Sequence, residues 1–235
     1  MATYVLVHGG WDGGWSWRGV ARQLRAAGHE VFTPTLTGSG ERVHLAGPDI
    51  DLDTHIADVA NVLRYEELQD VVLCGSSYGG MVITGVAEKV PERIQHLIYL
   101  DAFVPEDGQS AGDLVGPQIM GFMEQAAATY GDGWRVPHDP PDADRRTDFL
   151  LKAGQQALRV RNPEARPIKR TFVHFTDKAD DDFLKPIMEK TVVRVREAGW
   201  SCLEAPFEHW PFLDEPQEAA ILLLEIAGHN AGDWR

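Results

Sequence analysis

Cysteine is scarce in this chain of 235 residues, runs of basic side chains are absent, and no apolar stretch approaches bilayer-spanning length. The two cysteines, Cys74 and Cys202, each fall within a short apolar run and are expected as buried thiols rather than a disulfide framework. With 36 acidic against 22 basic residues and a formal net charge of −14, the chain offers no positive footprint for nucleic acid and is repelled by an anionic membrane surface. That excess of negative charge serves solubility. Nor do the nine histidines and two cysteines show metal-ligand spacing. No glycine-rich loop ends in Lys-Ser or Lys-Thr, and Gly9-Gly10 with Gly13-Gly14 do not make a dinucleotide fingerprint. No metal and no cofactor are expected. The chain opens directly into an apolar run, Thr3-Tyr4-Val5-Leu6-Val7, without a secretory leader pattern, which points to a soluble cytoplasmic protein.

What is present is a regular alternation. With 43% apolar residues the chain has enough material for one substantial core. Strand-like runs recur at Tyr4–Val7, Val31–Thr35, Val71–Cys74, Leu97–Leu100, Thr171–Phe175 and Ser201–Ala205. Between them lie helix-like stretches at Trp15–Ala27, Asp53–Tyr65, Gly80–Lys89, Phe183–Ala198 and Glu215–Ala227. Short apolar strands alternating with amphipathic helices predict an α/β fold, a doubly wound and mostly parallel sheet of about six strands. Residues 106–167 break the alternation: they hold no convincing strand, a Pro137–Asp142 segment, and expected helices near Gln118–Tyr130 and Ala143–Val160. Their apolar residues need burial, so this stretch reads as a small helical cap inserted into a core formed by residues 1–105 and 168–235.

The decisive motif is Gly75-Ser76-Ser77-Tyr78-Gly79, set between the apolar run Asp70–Cys74 and the helical run from Gly80. A strand–turn–helix carrying Gly-x-Ser-x-Gly is a nucleophile elbow, in which a strained turn lifts the serine hydroxyl clear of the sheet. Only Ser77 has glycine two residues away on both sides, so Ser77 is the candidate nucleophile. A serine needs a base, and the base needs an orienting acid. His209 lies between the last strand and the last helix, where the serine–acid–histidine chain order of this architecture places the base. For the acid, Asp177 just beyond the strand Thr171–Phe175 is expected, with Asp101 at the end of the preceding strand as its rival. Asp180, Asp181 and Asp182 read instead as the cap and first turn of the following helix. Backbone N–H groups of Tyr78 and of Gly10, in the loop after the first strand, are the expected oxyanion-hole donors. His8 is read as orienting that loop.

Taken together, these stretches resemble a branch of the α/β-hydrolase superfamily. It holds plant methyl-ester esterases such as salicylate methyl esterase, hydroxynitrile lyases and bacterial pyrethroid-hydrolase-like esterases. The resemblance is carried by Val5-Leu6-Val7-His8-Gly9-Gly10, Gly13-Gly14-Trp15-Ser16-Trp17, Thr33–Gly38 with Gly40-Glu41-Arg42, Gly75–Gly80, and Leu100-Asp101-Ala102-Phe103-Val104-Pro105. Phe175-Thr176-Asp177 and His209 complete it. It implies Ser77 as nucleophile, His209 as base, Asp177 as acid, and Gly10 with Tyr78 as the oxyanion hole. Two departures bear on activity. Ser76 precedes the nucleophile where the esterases carry histidine and some lyases glutamate. Gly9 and Trp210 stand where the lyases have threonine and lysine, which leaves a cyanide leaving group without a positive partner.

Ester hydrolysis through an acyl-enzyme is therefore the leading expectation, on a small to medium apolar or aromatic ester. Trp11, Phe103, Met120, Phe122, Trp134 and Trp210 are the candidate substrate contacts. The same triad also serves lyase, carbon–carbon or lactone hydrolysis and natural-product tailoring chemistry, and a ligand receptor on this fold would retain the pocket with little turnover.

Overall fold

In a computed structural model, residues 1–138, 145–180 and 182–228 are described. Part of the Pro137–Asp142 segment, the start of the expected Ala143–Val160 helix, Asp181 and His229 lie outside the described residues. The strands are β1 (Thr3–Val7), β2 (Glu30–Phe32), β3 (Val71–Ser76), β4 (Ile94–Leu100), β5 (Arg135–Val136), β6 (Phe149–Leu150), β7 (Lys169–Phe175) and β8 (Ser201–Ala205). Six of them form one sheet in the order β2-β1-β3-β4-β7-β8. Every pairing in that sheet is parallel. The helices are α1 (Arg18–Ala26), α2 (Leu52–Tyr65), α3 (Gly79–Lys89), α4 (Ala111–Val115), α5 (Pro117–Tyr130), α6 (Leu151–Gln155), α7 (Leu184–Glu197), α8 (Pro211–Asp214) and α9 (Pro216–Ile226).

Successive side chains of a strand point to opposite faces, and both faces of this sheet are covered. Val5, Val7, Leu73 and Tyr99 enter one apolar cluster together with α2, α3 and α7. Their neighbours Tyr4, Leu6, Cys74 and Ile98 enter another, with α1 and α9. This two-sided burial is why the central strands read as unbroken apolar runs. Cys74 is accordingly buried, but Cys202 is only half-buried, against expectation. It sits on β8, an edge strand with mostly exposed or half-exposed side chains.

The chain runs outward from β1 to β2 and then returns to place β3 on the other side of β1. Strand order reverses there, so the loops leaving β1 and β3 open a crevice at the carboxyl edge. Register fixes their proximity, with Leu6 beside Cys74 and Val7 beside Gly75.

Between β4 and β7 the chain forms α4, α5, the antiparallel pair β5–β6, and α6. The expected Gln118–Tyr130 helix is present as α5. The expected helix at Ala143–Val160 is not: its described part is the short strand β6, the single turn α6 and an extended tail. Phe149 pairs with Val136, and Leu158 exchanges backbone hydrogen bonds with Gly108 (2.8 Å) and Gln109 (2.9 Å). These non-local pairings override local helix preference.

Helix α3 descends so closely onto the loop after β4 that a Cβ at Gly80 would lie 2.1 Å from the Phe103 carbonyl oxygen. Gly80→Ala is therefore expected to cost at least about 2 kcal/mol in urea unfolding, because backbone must move to admit the methyl group. A variant within about 0.5 kcal/mol of wild type would show that the loop yields freely.

Candidate active site

Ser77 sits at the junction of β3 and α3 with φ of 50°, a left-handed conformation unusual for a residue with a side chain. Its carbonyl oxygen accepts from the N–H groups of Gly80 (3.0 Å) and Phe103 (2.9 Å), which hold the turn. The surrounding glycines are steric requirements. A Cβ at Gly75 would lie 2.6 Å from the Gly79 oxygen, and one at Gly79 would lie 2.8 Å from the oxygens of Val7 and His8.

His209 lies between β8 and α8, is 5% exposed, and lines the same cavity as Ser77. Its Nδ1 is 2.7 Å from Asp101 Oδ2. An ionised carboxylate only accepts, so Nδ1 donates and Nε2 is left as the basic nitrogen. Asp101 directly follows β4, has φ of 47° and is fully buried. Its Oδ1 accepts from the Phe175 N–H (3.2 Å) and from Lys178 Nζ (2.8 Å). Lys178, itself buried, also donates to the Phe175 carbonyl. His174 Nδ1 stands 3.6 Å from Oδ1, beyond hydrogen-bond length but within electrostatic reach. Burial alone would raise the proton affinity of Asp101. The polar influence of His174, the His209 hydrogen bond and the Lys178 charge reverse that effect and hold the carboxyl well below the usual carboxylate range.

The partner of His209 is thus Asp101, not the expected Asp177. Both acids follow strands that are neighbours in the sheet, but Asp177 is turned to solvent, with its N–H bonded to the Phe207 oxygen (3.1 Å). Lys178 points inward instead. Asp182 accepts from the Leu184 N–H (2.8 Å) at the start of α7, and Asp180 pairs with Lys185.

The loop after β1 is set by His8. The Leu36 N–H donates to its Nε2 (3.0 Å), so the proton is on Nδ1 and is donated to the Gly9 oxygen (2.8 Å). Because a peptide is planar, fixing the Gly9 carbonyl also fixes the direction of the Gly10 N–H. Tyr78 is anchored through its side chain. The His55 Nε2–H donates to the Thr37 oxygen (3.0 Å), which leaves Nδ1 to accept from the Tyr78 hydroxyl (2.9 Å). Burial pushes both imidazoles down, His8 to about 4 despite the opposing influence of the Gly9 hydrogen bond.

A cavity of about 460 Å³ opens over these groups. Of the expected contacts, Gly10, Trp11, Tyr78, Phe103, Met120 and Trp210 line it. Phe122 does not: it is 64% exposed, because residues two apart on a helix face opposite sides and Met120 takes the inner one. Trp134 faces a separate cavity with Gly38 and Val43. Sequence reasoning missed Phe149, Arg146 and His138 as cavity residues. Only Phe149 carried a signal, as an apolar residue needing burial. Among the described residues no cluster of His, Cys, Asp or Glu is suited to a metal ion. None of their helices is long and apolar enough to cross a membrane.

The sequence model of the alpha/beta hydrolase family runs through residues 4–221, from β1 into α9, and the chain belongs to that family. It is 59% identical over 245 residues to the carbendazim hydrolyzing esterase of Nocardioides sp. (strain SG-4G), covering 96% of this chain and 100% of that one. Within the family it is a carboxylesterase-like hydrolase. Two solved structures share the fold. An extracellular alpha/beta-hydrolase from a Paenibacillus species matches with a TM-score of 0.81 at 22% identity, over 96% of this chain and 98% of that one. A pyrethroid hydrolase from Sphingobium faniae JZ-2 matches with a TM-score of 0.75 at 22% identity, over 98% and 99%.

The neutral state of His8 carries a pH signature. Its value is lowered on folding, so the unfolded chain binds the extra proton as pH falls from about 6.5 towards about 4, and stability is lost over that window. His8→Asn should flatten the dependence of unfolding free energy on pH there by up to about 1.4 kcal/mol per pH unit. Urea titrations at several pH values measure this, and an unchanged slope would mean that His8 does not titrate as argued.

Proposed function

We propose that this protein is a serine carboxylic ester hydrolase that works through an acyl-enzyme. Ser77 is the nucleophile, His209 the general base, Asp101 the orienting acid, and the N–H groups of Gly10 and Tyr78 the oxyanion hole. The observation that carries this reading is the buried 2.7 Å bond between Asp101 and His209, on an imidazole that lines one cavity with the elbow serine.

In the first step His209 Nε2 takes the Ser77 hydroxyl proton as Oγ attacks the ester carbonyl, and the oxyanion is met by the two N–H groups. Collapse breaks the bond to the alcohol, which leaves with the proton from His209. Water then repeats the sequence on the acyl-enzyme, giving up a proton to His209 and releasing the acid.

Apart from the catalytic groups, the cavity wall is largely apolar and aromatic, which suits a small aryl or alkyl ester. Carbendazim, the methyl carbamate of an aromatic amine, is the substrate to test first, given the 59% identical relative that hydrolyses it. In this reading residues 106–167 act as a cap that supplies Met120 and Phe149 to the wall. A cytoplasmic location belongs to the same reading.

Hydrolysis of p-nitrophenyl acetate, p-nitrophenyl butyrate and carbendazim is expected for wild type and abolished in Ser77→Ala, with a fluorophosphonate probe located on Ser77 by mass spectrometry. Full turnover by Ser77→Ala would sink the mechanism. Asp101→Asn should lower kcat by about 10⁴-fold, as in other serine triads whose acid is neutralised. Asp177→Asn should stay within about twofold of wild type, since an exposed group off the triad adds little to the transition state. The reverse ranking would return the acid to Asp177.

A further inference from the structure

The Gly10–Asp12 turn carries a strain that its own sequence does not explain. Trp11 has φ of 64°, a left-handed conformation that a bulky aromatic residue adopts only under outside constraint. The sheet side of the loop contributes the His8 bond to the Gly9 oxygen, one residue before the turn. The next ties come from the segment between β4 and β7. Trp11 Nε1 donates to the Val136 oxygen (3.0 Å), the Thr147 N–H donates to the Trp11 oxygen (2.8 Å), and Phe149 packs on the Trp11 ring at 5.3 Å. One charged tie is Arg146, whose Nε lies 3.1 Å from Oδ1 of Asp12. Asp12 is 2% exposed, so the pair is largely shielded from water, where losing one partner is far more damaging than at a surface.

The same guanidinium reaches further. Its carbon stands 4.7 Å from the centre of the Trp210 ring, next to the base, and its Nη1 donates to His138 Nε2 (3.2 Å). One cation therefore joins the turn after β1, the loop that carries His209 and the β5–β6 segment.

We propose that Arg146 is a positioning residue for the oxyanion hole: by gripping Asp12 and stacking on Trp210 it holds the Gly10–Trp11 turn in register with the base. The inference rests on the reading of Gly10 as an oxyanion donor in a serine esterase. It differs from substrate recognition, the other role open to an arginine that lines the cavity. A recognition role acts on the ground state and the transition state alike, whereas a positioning role acts where charge develops.

The test is a double-mutant cycle on p-nitrophenyl acetate hydrolysis with Arg146→Met, Asp12→Asn and both together, read as kcat and KM separately. The expected result for each single variant is a kcat about 10- to 100-fold lower with KM within about twofold, a part of what loss of an oxyanion donor costs. The double variant should be no worse than the poorer single one, because both changes break one link. Fluorophosphonate labelling of Ser77 should slow in parallel, since phosphonylation develops charge in the same hole. A raised KM with kcat unchanged, or multiplied losses in the double variant, overturns the proposal. Asp12→Asn keeps the size of the side chain but removes the charge that grips Arg146, so its kcat decides the question if Arg146→Met does not unfold cooperatively. Ser77→Ala, run alongside, separates the two failures. Turnover that survives Ser77→Ala refutes the esterase mechanism itself. Ser77-dependent turnover with unimpaired kcat in the variants refutes only the role of Arg146.

Discussion

A single buried carboxylate organises the carboxyl edge of this sheet. Asp101 is fully excluded from water, and an unpaired charge in that position would be prohibitive. It is tolerated because donors converge on it from separate parts of the chain: the Phe175 N–H at the end of β7, Lys178 in the loop beyond, and His209 after β8. They come from two stretches of backbone, the end of β7 with its following loop and the loop after β8. The β4–β7–β8 register must be right before the carboxylate is satisfied, so the requirement to solvate one charge also fixes the imidazole. The geometry of the candidate site and local folding are here the same constraint.

The histidines divide in the same way. His8 and His55 are held neutral by burial, each with one nitrogen donating to a carbonyl and the other accepting. They act as rigid two-ended connectors, one setting the loop after β1 and the other the Tyr78 ring. The loop after β2 enters through Thr37, whose N–H and hydroxyl are both bound by Asp58 (2.7 and 2.9 Å). Both faces of the expected oxyanion hole are thereby braced from behind by groups that never meet the substrate.

Much of this was legible in the sequence wherever the signal is local. Strands buried on both faces must read as apolar runs, and all six runs became strands of the main sheet. The elbow was legible because sterics allow only glycine two residues to either side of Ser77. The acid was not, because Asp101 and Asp177 both follow strand ends at the same edge of the sheet. What separates them is which side chain turns inward, and that is decided by Lys178 and His174, partners distant in sequence from Asp101. The region after Phe149 has a helical pattern without forming the long helix for a related reason, since its pairing with Val136 and the crossing of Leu158 over Gln109 leave no periodic trace. Met120 and Phe122 show the limit of composition as a guide: both are apolar, but helix geometry sends only one of them into the cavity.

Helix α5 buries only Ala127 completely, yet it supplies Ile119, Met120 and Met123 to the cavity wall. Met120 and Met123 meet the apolar cluster beside the sheet only as partly buried side chains, so residues that shape this cavity are less deeply packed than those around the elbow. Changes at these positions give up less buried contact than changes in the fully buried core, while a side chain added at either elbow glycine, Gly75 or Gly79, meets backbone at under 3 Å. In the esterase reading, such a gradient lets substrate range drift by single substitutions as the reaction centre stays fixed. A scaffold built this way is disposed to acquire new esters, including synthetic ones, faster than it acquires new chemistry.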